Sequence, residues 1–286
     1  METISKTIPI RFGSDLSLGI DEAQAYGRSL APAYGSEGPF PHIAIDNFLP
    51  DNLLQFICRN FPVDPTDREK VFEKGYTGLH KRQISPYACS SDLTNLFLFF
   101  NSAPMLQFLE SMTAIEGLIA DPYFSGGGFH EIYSGGLLGI HSDFKINESL
   151  HLERRLNIII YLNEDWRAEY GGNLELWDPE MTSCVKSIAP VSNRCVIFNT
   201  DRDSNHGHPD PLTTPEGISR RSIALYYYTA SKQIYDEIEF AKTLYRARPG
   251  DSSKVKRLTR KREKRDKRKT LGARAADFFN GLFRQH

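Results

Sequence analysis

The chain has 286 residues, 40% of them hydrophobic and 25% charged, which is the balance of a globular protein with enough length for a substantial core. No apolar run approaches the ~20 residues that span a bilayer, and the first residues lack the apolar centre of a signal peptide, so a soluble, cytoplasmic protein is expected. The net charge of −1 is a cancellation: between Lys254 and Lys269 eleven Lys or Arg face two acids, a net +9, which leaves −10 on the rest.

In chain order, residues 1–38 scatter Gly, Pro and Ser and read as an irregular lead-in. A short strand follows at His42–Asn47, then a helix with Leu53, Leu54, Ile57 and Phe61 on one face, opened by Asp51 as N-cap and closed by Pro62. A second helical stretch from Asp92 to Gly117 carries Leu96, Phe99, Phe100, Leu106 and Leu109, and Pro104 splits it. From Pro122 the pattern becomes short β-rich runs punctuated by turns, among them "FHEIY", "LLGIHSDF", "RLNIIIYL", "NLELWD", "RCVIFNT" and "SIALYYYT". Six or more closely spaced strands predict an antiparallel sandwich or barrel. "RLNIIIYLN" is apolar on both parities, as expected of an interior strand covered on both sides, with the helices as one cover. The expected organisation is α+β: a lead-in 1–38, a domain 39–232 (helical cover 48–120, β core 121–232), and a basic, helical extension 233–286 whose first helix covers Gln233–Arg246. Cys58, Cys89, Cys184 and Cys195 show no C-x-x-C spacing and are expected to be reduced, buried thiols.

Two short stretches carry chemistry. "GIHSDF" sets His141 and Asp143 two apart, so on a strand both side chains project from one face and can chelate one divalent ion. "SNHGHPDPL" adds His206 and His208. Two histidines and a carboxylate on one face, with the opposite positions open, make the facial triad of non-haem Fe(II) oxygenases. Taken alone, a His-x-Asp pair is more often a surface coincidence. Downstream, "SRRSIALYYYT" puts Arg220 and Ser222 on one strand face and Arg221 on the other. An arginine pointing into a β core needs a permanent anion, and a dicarboxylate whose far end meets the guanidinium fork answers that need.

H-x-D at 141–143, "NIIIYLN" at 157–163, "GGNLELW" at 171–177, "NRCVIFNT" at 193–200, Ser-x-His at 204–206 and Arg-x-Ser at 220–222 occur in one order. In this the sequence resembles the 2-oxoglutarate and Fe(II)-dependent oxygenases, prolyl-4-hydroxylase-like group, over roughly residues 40–230. The resemblance implies a double-stranded β-helix (jelly-roll) core flanked by helices. It implies a dioxygenase that hydroxylates an unactivated C–H bond and releases succinate and CO2, using Fe(II), 2-oxoglutarate and O2, with ascorbate as a candidate stimulant. His141, Asp143 and His206 match the iron ligands, Arg220 the residue holding the distal carboxylate of 2-oxoglutarate, and Ser222 its companion. Asp143 favours hydroxylation, because the related halogenases carry a small residue there.

One departure concerns spacing. Arg220 follows His206 by fourteen positions, more than the group usually has, and counting from His208 gives twelve. Pro209 restricts His208, which should begin a turn near the mouth of the pocket while His206 stays in the ladder; together with the Ser-x-His context this favours His206 as ligand. Strand parity offers Tyr133 and Asn157 as contacts for 2-oxoglutarate, and His130, Arg155 and Trp177 as substrate contacts; packing is the plainer role for each. The expected substrate is an amino-acid or prolyl side chain, or a small metabolite. The tail 254–286, with Phe278, Phe279, Leu282 and Phe283 behind its basic run, adds the alternative of docking on an anionic membrane surface, at the inner membrane face, to hydroxylate a sugar or acyl group of an envelope glycolipid. The tail has no interleaved aromatics, which disfavours nucleic acid. The rival of another class is a non-enzymatic, cupin-like jelly roll holding a structural metal.

Overall fold

The computed structural model describes residues 3–35, 38–64, 69–231, 243–261 and 264. Its architecture is the expected jelly roll: two curled sheets share one long strand, Gly128–Ser142. The first half of that strand pairs with Arg220–Ala224 on one side and with Leu79–Ile84 on the other. The second half turns into the facing sheet, where it pairs with Asn205–His208 and with Leu244–Tyr245. The larger sheet continues from Arg220–Ala230 through Leu152–Tyr161, Cys195–Asn199 and His42–Asp46, and the smaller through Leu174–Trp177 and Cys184–Ile188.

Alternation along the strands explains why the central runs are apolar on both parities. Leu156, Ile158 and Ile160, with Cys195, Ile197, Ile223, Leu225 and Tyr227, join one core with the helices. Tyr161, Val196 and Phe198 point the other way and pack with Leu174, Leu176 and Ile188 between the sheets. Each such fully buried aliphatic side chain contributes about 1.5–3 kcal/mol.

The helical cover differs from expectation in three places. The lead-in contains a helix, Ile20–Leu30, whose Ala23, Tyr26 and Leu30 enter the core. Gly27 reads as loop punctuation but is a contact residue: a Cβ there would stand 2.3 Å from the Phe108 carbonyl oxygen, so its absence lets this helix lie against Ala103–Thr113. Asp51 is the first residue of the helix Asp51–Arg59 rather than its cap, a position held by Pro50. Pro104 does split the second stretch, into Ser91–Phe100 and Ala103–Thr113. A hairpin of Glu69–Phe72 and Leu79–Ile84, which no periodicity announced, extends the large sheet.

The expected helix Gln233–Arg246 is corrected at its end, where it enters the described residues: Leu244–Tyr245 is a strand that pairs with Ser142 and His141, held by ladder bonds that local helical propensity does not outweigh. Residues 233–242 and 265–286, with the four apolar tail residues among them, lie outside the described residues. Residues 253–261 are helical. Among the described residues no helix is long and apolar enough to cross a membrane. All four cysteines are free, but only Cys195 is buried, and Cys184 is exposed.

Candidate active site

His141 is the penultimate residue of the long strand and Asp143 lies just beyond its end. His206 is the direct cross-strand partner of His141 in the neighbouring strand. Nδ1 of His141 lies 2.9 Å from the Gly139 carbonyl oxygen, and Nδ1 of His206 lies 2.8 Å from that of Ser204. Each carbonyl fixes its ring with the proton on Nδ1, so both Nε2 lone pairs are free. They point to Asp143: His141 Nε2 is 3.6 Å from Oδ1 and His206 Nε2 is 3.6 Å from Oδ2. The donor atoms of the three residues all lie within 4.8 Å of one another. Two imidazoles and one carboxylate on a single face suit a divalent first-row metal with open positions. Burial pushes His206 down to about 4, keeping it a neutral donor. Tyr245 stacks on His141 at 5.3 Å and Phe198 meets His206 edge-on at 4.7 Å, so aromatic walls restrict both rings.

Asp143 has a support that strand parity missed. Nη2 of Arg154 is 3.0 Å from Asp143 Oδ2, and Asn157 donates from Nδ2 to the same oxygen at 2.7 Å. Arg154 in turn donates from Nε and Nη2 to Asn157 Oδ1 at 2.9 and 2.7 Å, and its guanidinium lies 3.5 Å from the centroid of the Tyr226 ring. Burial alone would raise the Asp143 carboxyl, but Arg154 and the two histidines hold it well below the usual carboxylate range. The register slips between Arg154 and Leu156, so Arg155 occupies a bulge and Arg154, not Arg155, shares the inner face with Asn157.

These groups line one cavity of about 190 Å³ inside the roll. That is room for a small organic acid. Arg220 lines its other part. It is 5% exposed, donates from Nε to the Gly172 carbonyl at 2.8 Å and from Nη2 to the Tyr161 hydroxyl at 3.2 Å, and leaves Nη1 uncommitted. Ser222 and His130 pair across the strands and both line the cavity, with His130 Nε2 3.0 Å from the Gly126 carbonyl. Arg221 faces away and pairs with Glu131 at 2.9 Å, as parity requires.

Three candidates lie elsewhere. Tyr133 is on the outer face, its hydroxyl bonded to Glu131 at 2.9 Å, one residue out of phase with His130 and Ile132. Trp177 is packed in the small sheet and donates to Glu175 at 2.8 Å. Arg155 reaches Thr229 rather than the cavity.

His208 departs from expectation in another way. The ladder continues through it to Leu138 after an irregularity, and it lines the cavity instead of marking a turn at the mouth. Both its ring nitrogens are buried without a hydrogen-bond partner. Lys81, from the unannounced hairpin, lines the same cavity at 8% exposure; its ammonium makes no hydrogen bond or ion pair among the described residues and rests 5.2 Å over the Phe72 ring. Asp143 is the sole carboxylate among the described lining residues and Arg154 answers it, so Lys81 and Arg220 leave an unmatched positive surplus.

Residues 127–228 match the family model described as "2OG-Fe(II) oxygenase superfamily". Over 220 residues the chain is 28% identical to prolyl 3-hydroxylase OGFOD1 of Mus musculus, an alignment covering 71% of this chain and 38% of that protein; the chain thus spans about two fifths of the curated relative's length. Among solved structures, a prolyl-4-hydroxylase of Pseudomonas putida aligns at 16% identity over 72% of this chain and 98% of that one, with a TM-score of 0.49. HygX of Streptomyces hygroscopicus, solved with nickel, 2-oxoglutarate and hygromycin B, aligns at 12% identity over 71% and 86%, with a TM-score of 0.45.

Proposed function

We propose, from the match of residues 127–228 to the 2OG-Fe(II) oxygenase superfamily, that the chain is such an oxygenase and hydroxylates a prolyl or other amino-acid side chain of a polypeptide. The observation that carries the reading is the convergence of His141, Asp143 and His206 in one cavity with Arg220. The donor set fits Fe(II): two lone pairs and a carboxylate on one side leave the other side for a chelating co-substrate and O2. Iron held there supplies the oxidative decarboxylation of 2-oxoglutarate to succinate and CO2 and the transfer of one oxygen atom to a substrate C–H bond.

The chain's own residues do the rest. Arg220 takes the distal carboxylate, with its guanidinium aimed by the Gly172 carbonyl and the Tyr161 hydroxyl. Ser222 and Asn157 line the cavity on the same sheet face and bound the co-substrate. Arg154 and Asn157 fix the carboxylate of Asp143 so that it meets the metal in one orientation. Tyr245 and Phe198 shield the imidazoles from water.

A polypeptide is favoured over a free metabolite by a second hollow, about 1110 Å³, between Tyr76, Thr77 and the helix 253–261. It shares Thr77 and Tyr245 with the smaller cavity, so a chain lying in it could present one side chain to the metal. The kinship with a prolyl 3-hydroxylase supports proline as target.

The test is succinate release with Fe(II), 2-oxoglutarate and air against proline-containing peptides, free amino acids, small metabolites and envelope glycolipids. Peptides should stimulate succinate release and gain one oxygen atom by mass spectrometry. Stimulation by a free metabolite or a glycolipid alone would replace the polypeptide reading. Tight metal binding with no 2-oxoglutarate turnover under any condition would favour the cupin-like alternative.

A further inference from the structure

Arg220 is not alone at its part of the cavity. Lys81 and Arg220 are both in register with Ile132, one on each side of the long strand, so their side chains leave the same face of the large sheet. His208 comes from the facing sheet, opposite Leu138. The His208 ring lines the same cavity as both cations, with both ring nitrogens buried and unpartnered. An imidazole offers at least one N–H donor.

Buried polar groups are ordinarily paired, and a buried ammonium is costly without a counterion. Here the Lys81 ammonium, the His208 ring and Nη1 of Arg220 all lack an acceptor among the described residues, and all line one cavity. Phe72, Leu138, Leu174 and Ile132, the apolar lining around them, supply none. An anion with several acceptor oxygens would partner all three.

We propose that Lys81 and His208 join Arg220 in binding the distal carboxylate of 2-oxoglutarate, giving this chain a three-armed grip on its two oxygens. The proposal rests on the reading of the cavity as a 2-oxoglutarate site. It makes Lys81 and His208 recognition residues that select a dicarboxylic over a monocarboxylic oxoacid, and it gives a role to the histidine that does not face the metal.

The test is calorimetric titration of the Mn(II)-loaded protein under argon with 2-oxoglutarate and with 2-oxopentanoate, which keeps the oxoacid end and lacks the distal carboxylate. Lys81→Met and His208→Leu should each weaken 2-oxoglutarate binding about tenfold, the worth of one charge-assisted or buried hydrogen bond, and leave 2-oxopentanoate binding unchanged. His208→Gln, which keeps a donor, should recover most of the loss. The metal-free melting temperature of Lys81→Met should equal or exceed that of the wild type; a clear drop would mark a structural role and overturn the proposal. Wild-type affinity for 2-oxoglutarate in Lys81→Met and His208→Leu, with binding lost in Arg220→Met, would overturn the three-armed grip while leaving the site itself intact. Undiminished binding in Arg220→Met would overturn the reading of the site, and the proposal with it.

Discussion

Replacing Arg154 by Met tests how the metal-binding carboxylate is supported. Arg154 is 2% exposed and stands 3.0 Å from Asp143 Oδ2, whose side chain is 11% exposed. Met keeps most of the buried stem and removes the charge, so Asp143 loses its guanidinium partner and Asn157 Oδ1 loses its two donors, while the Asn157–Asp143 bond remains. Breaking a buried pair from one side costs about 3–5 kcal/mol, because the remaining charge stays desolvated. For a chain of this size each kcal/mol moves the melting temperature by about 2–4 °C, so the metal-free variant should melt roughly 6–20 °C below wild type. Mn(II) supplies a positive charge at Asp143 and should close much of that gap. The assay is scanning calorimetry of wild type, Arg154→Met, Asp143→Asn and the double variant, each without and with Mn(II). In the Asp143→Asn background there is no carboxylate to strand, so Arg154→Met should cost little or stabilise. A loss below about 1 kcal/mol in the single variant, or an equal loss in both backgrounds, would refute the ion-pair argument.

Lys81 should show the opposite sign. Burial chiefly, with Arg220 adding and Asp143 opposing, lowers it from 10.5 to about 8, so the folded state binds fewer protons than the unfolded one between those values. The charge therefore costs about 3 kcal/mol below pH 8, and the cost fades as pH rises through the window to 10.5. Urea denaturation should find metal-free Lys81→Met more stable than wild type at pH 7 by up to about that amount, with the gain shrinking at higher pH; a less stable variant at pH 7 would contradict this. Gly207→Ala would put a Cβ 2.7 Å from the Gly139 carbonyl oxygen and 2.8 Å from that of Leu138, forcing apart the strands that carry His206 and His141. Mn(II) affinity should fall at least about tenfold and the melting temperature with it; unchanged metal binding would show that this close approach does not set the ligand spacing.

The parts legible in the sequence were those that strand periodicity reports. His141 and His206 are cross-strand partners on β-ladders, and Arg220 and Ser222 alternate into the cavity while Arg221 turns out to Glu131. Period-two reasoning fails where the ladder slips. One bulged residue, Arg155, moved Arg154 onto Asp143 and removed Arg155 from the inner face, and no residue type in "LERRLN" announces that slip. The helix Ile20–Leu30 was hidden because Gly27, needed for its close packing, is also the commonest loop signal. Lys81 and Tyr245 reach the cavity only through long-range pairing with the long strand, which leaves no local trace. His208 was misplaced because Pro209 ends the ladder after it, not at it.

The central claim is that His141, Asp143 and His206, rather than His208, hold iron beside a 2-oxoglutarate site. Its most direct test is visible absorption during anaerobic addition of Fe(II) and saturating 2-oxoglutarate, which together give a weak charge-transfer band when the co-substrate chelates the bound metal. The band should form in the wild type and in His208→Gln, and be absent in His141→Ala and His206→Ala. No band in the wild type, or a band that survives His206→Ala and vanishes in His208→Gln, would contradict the account.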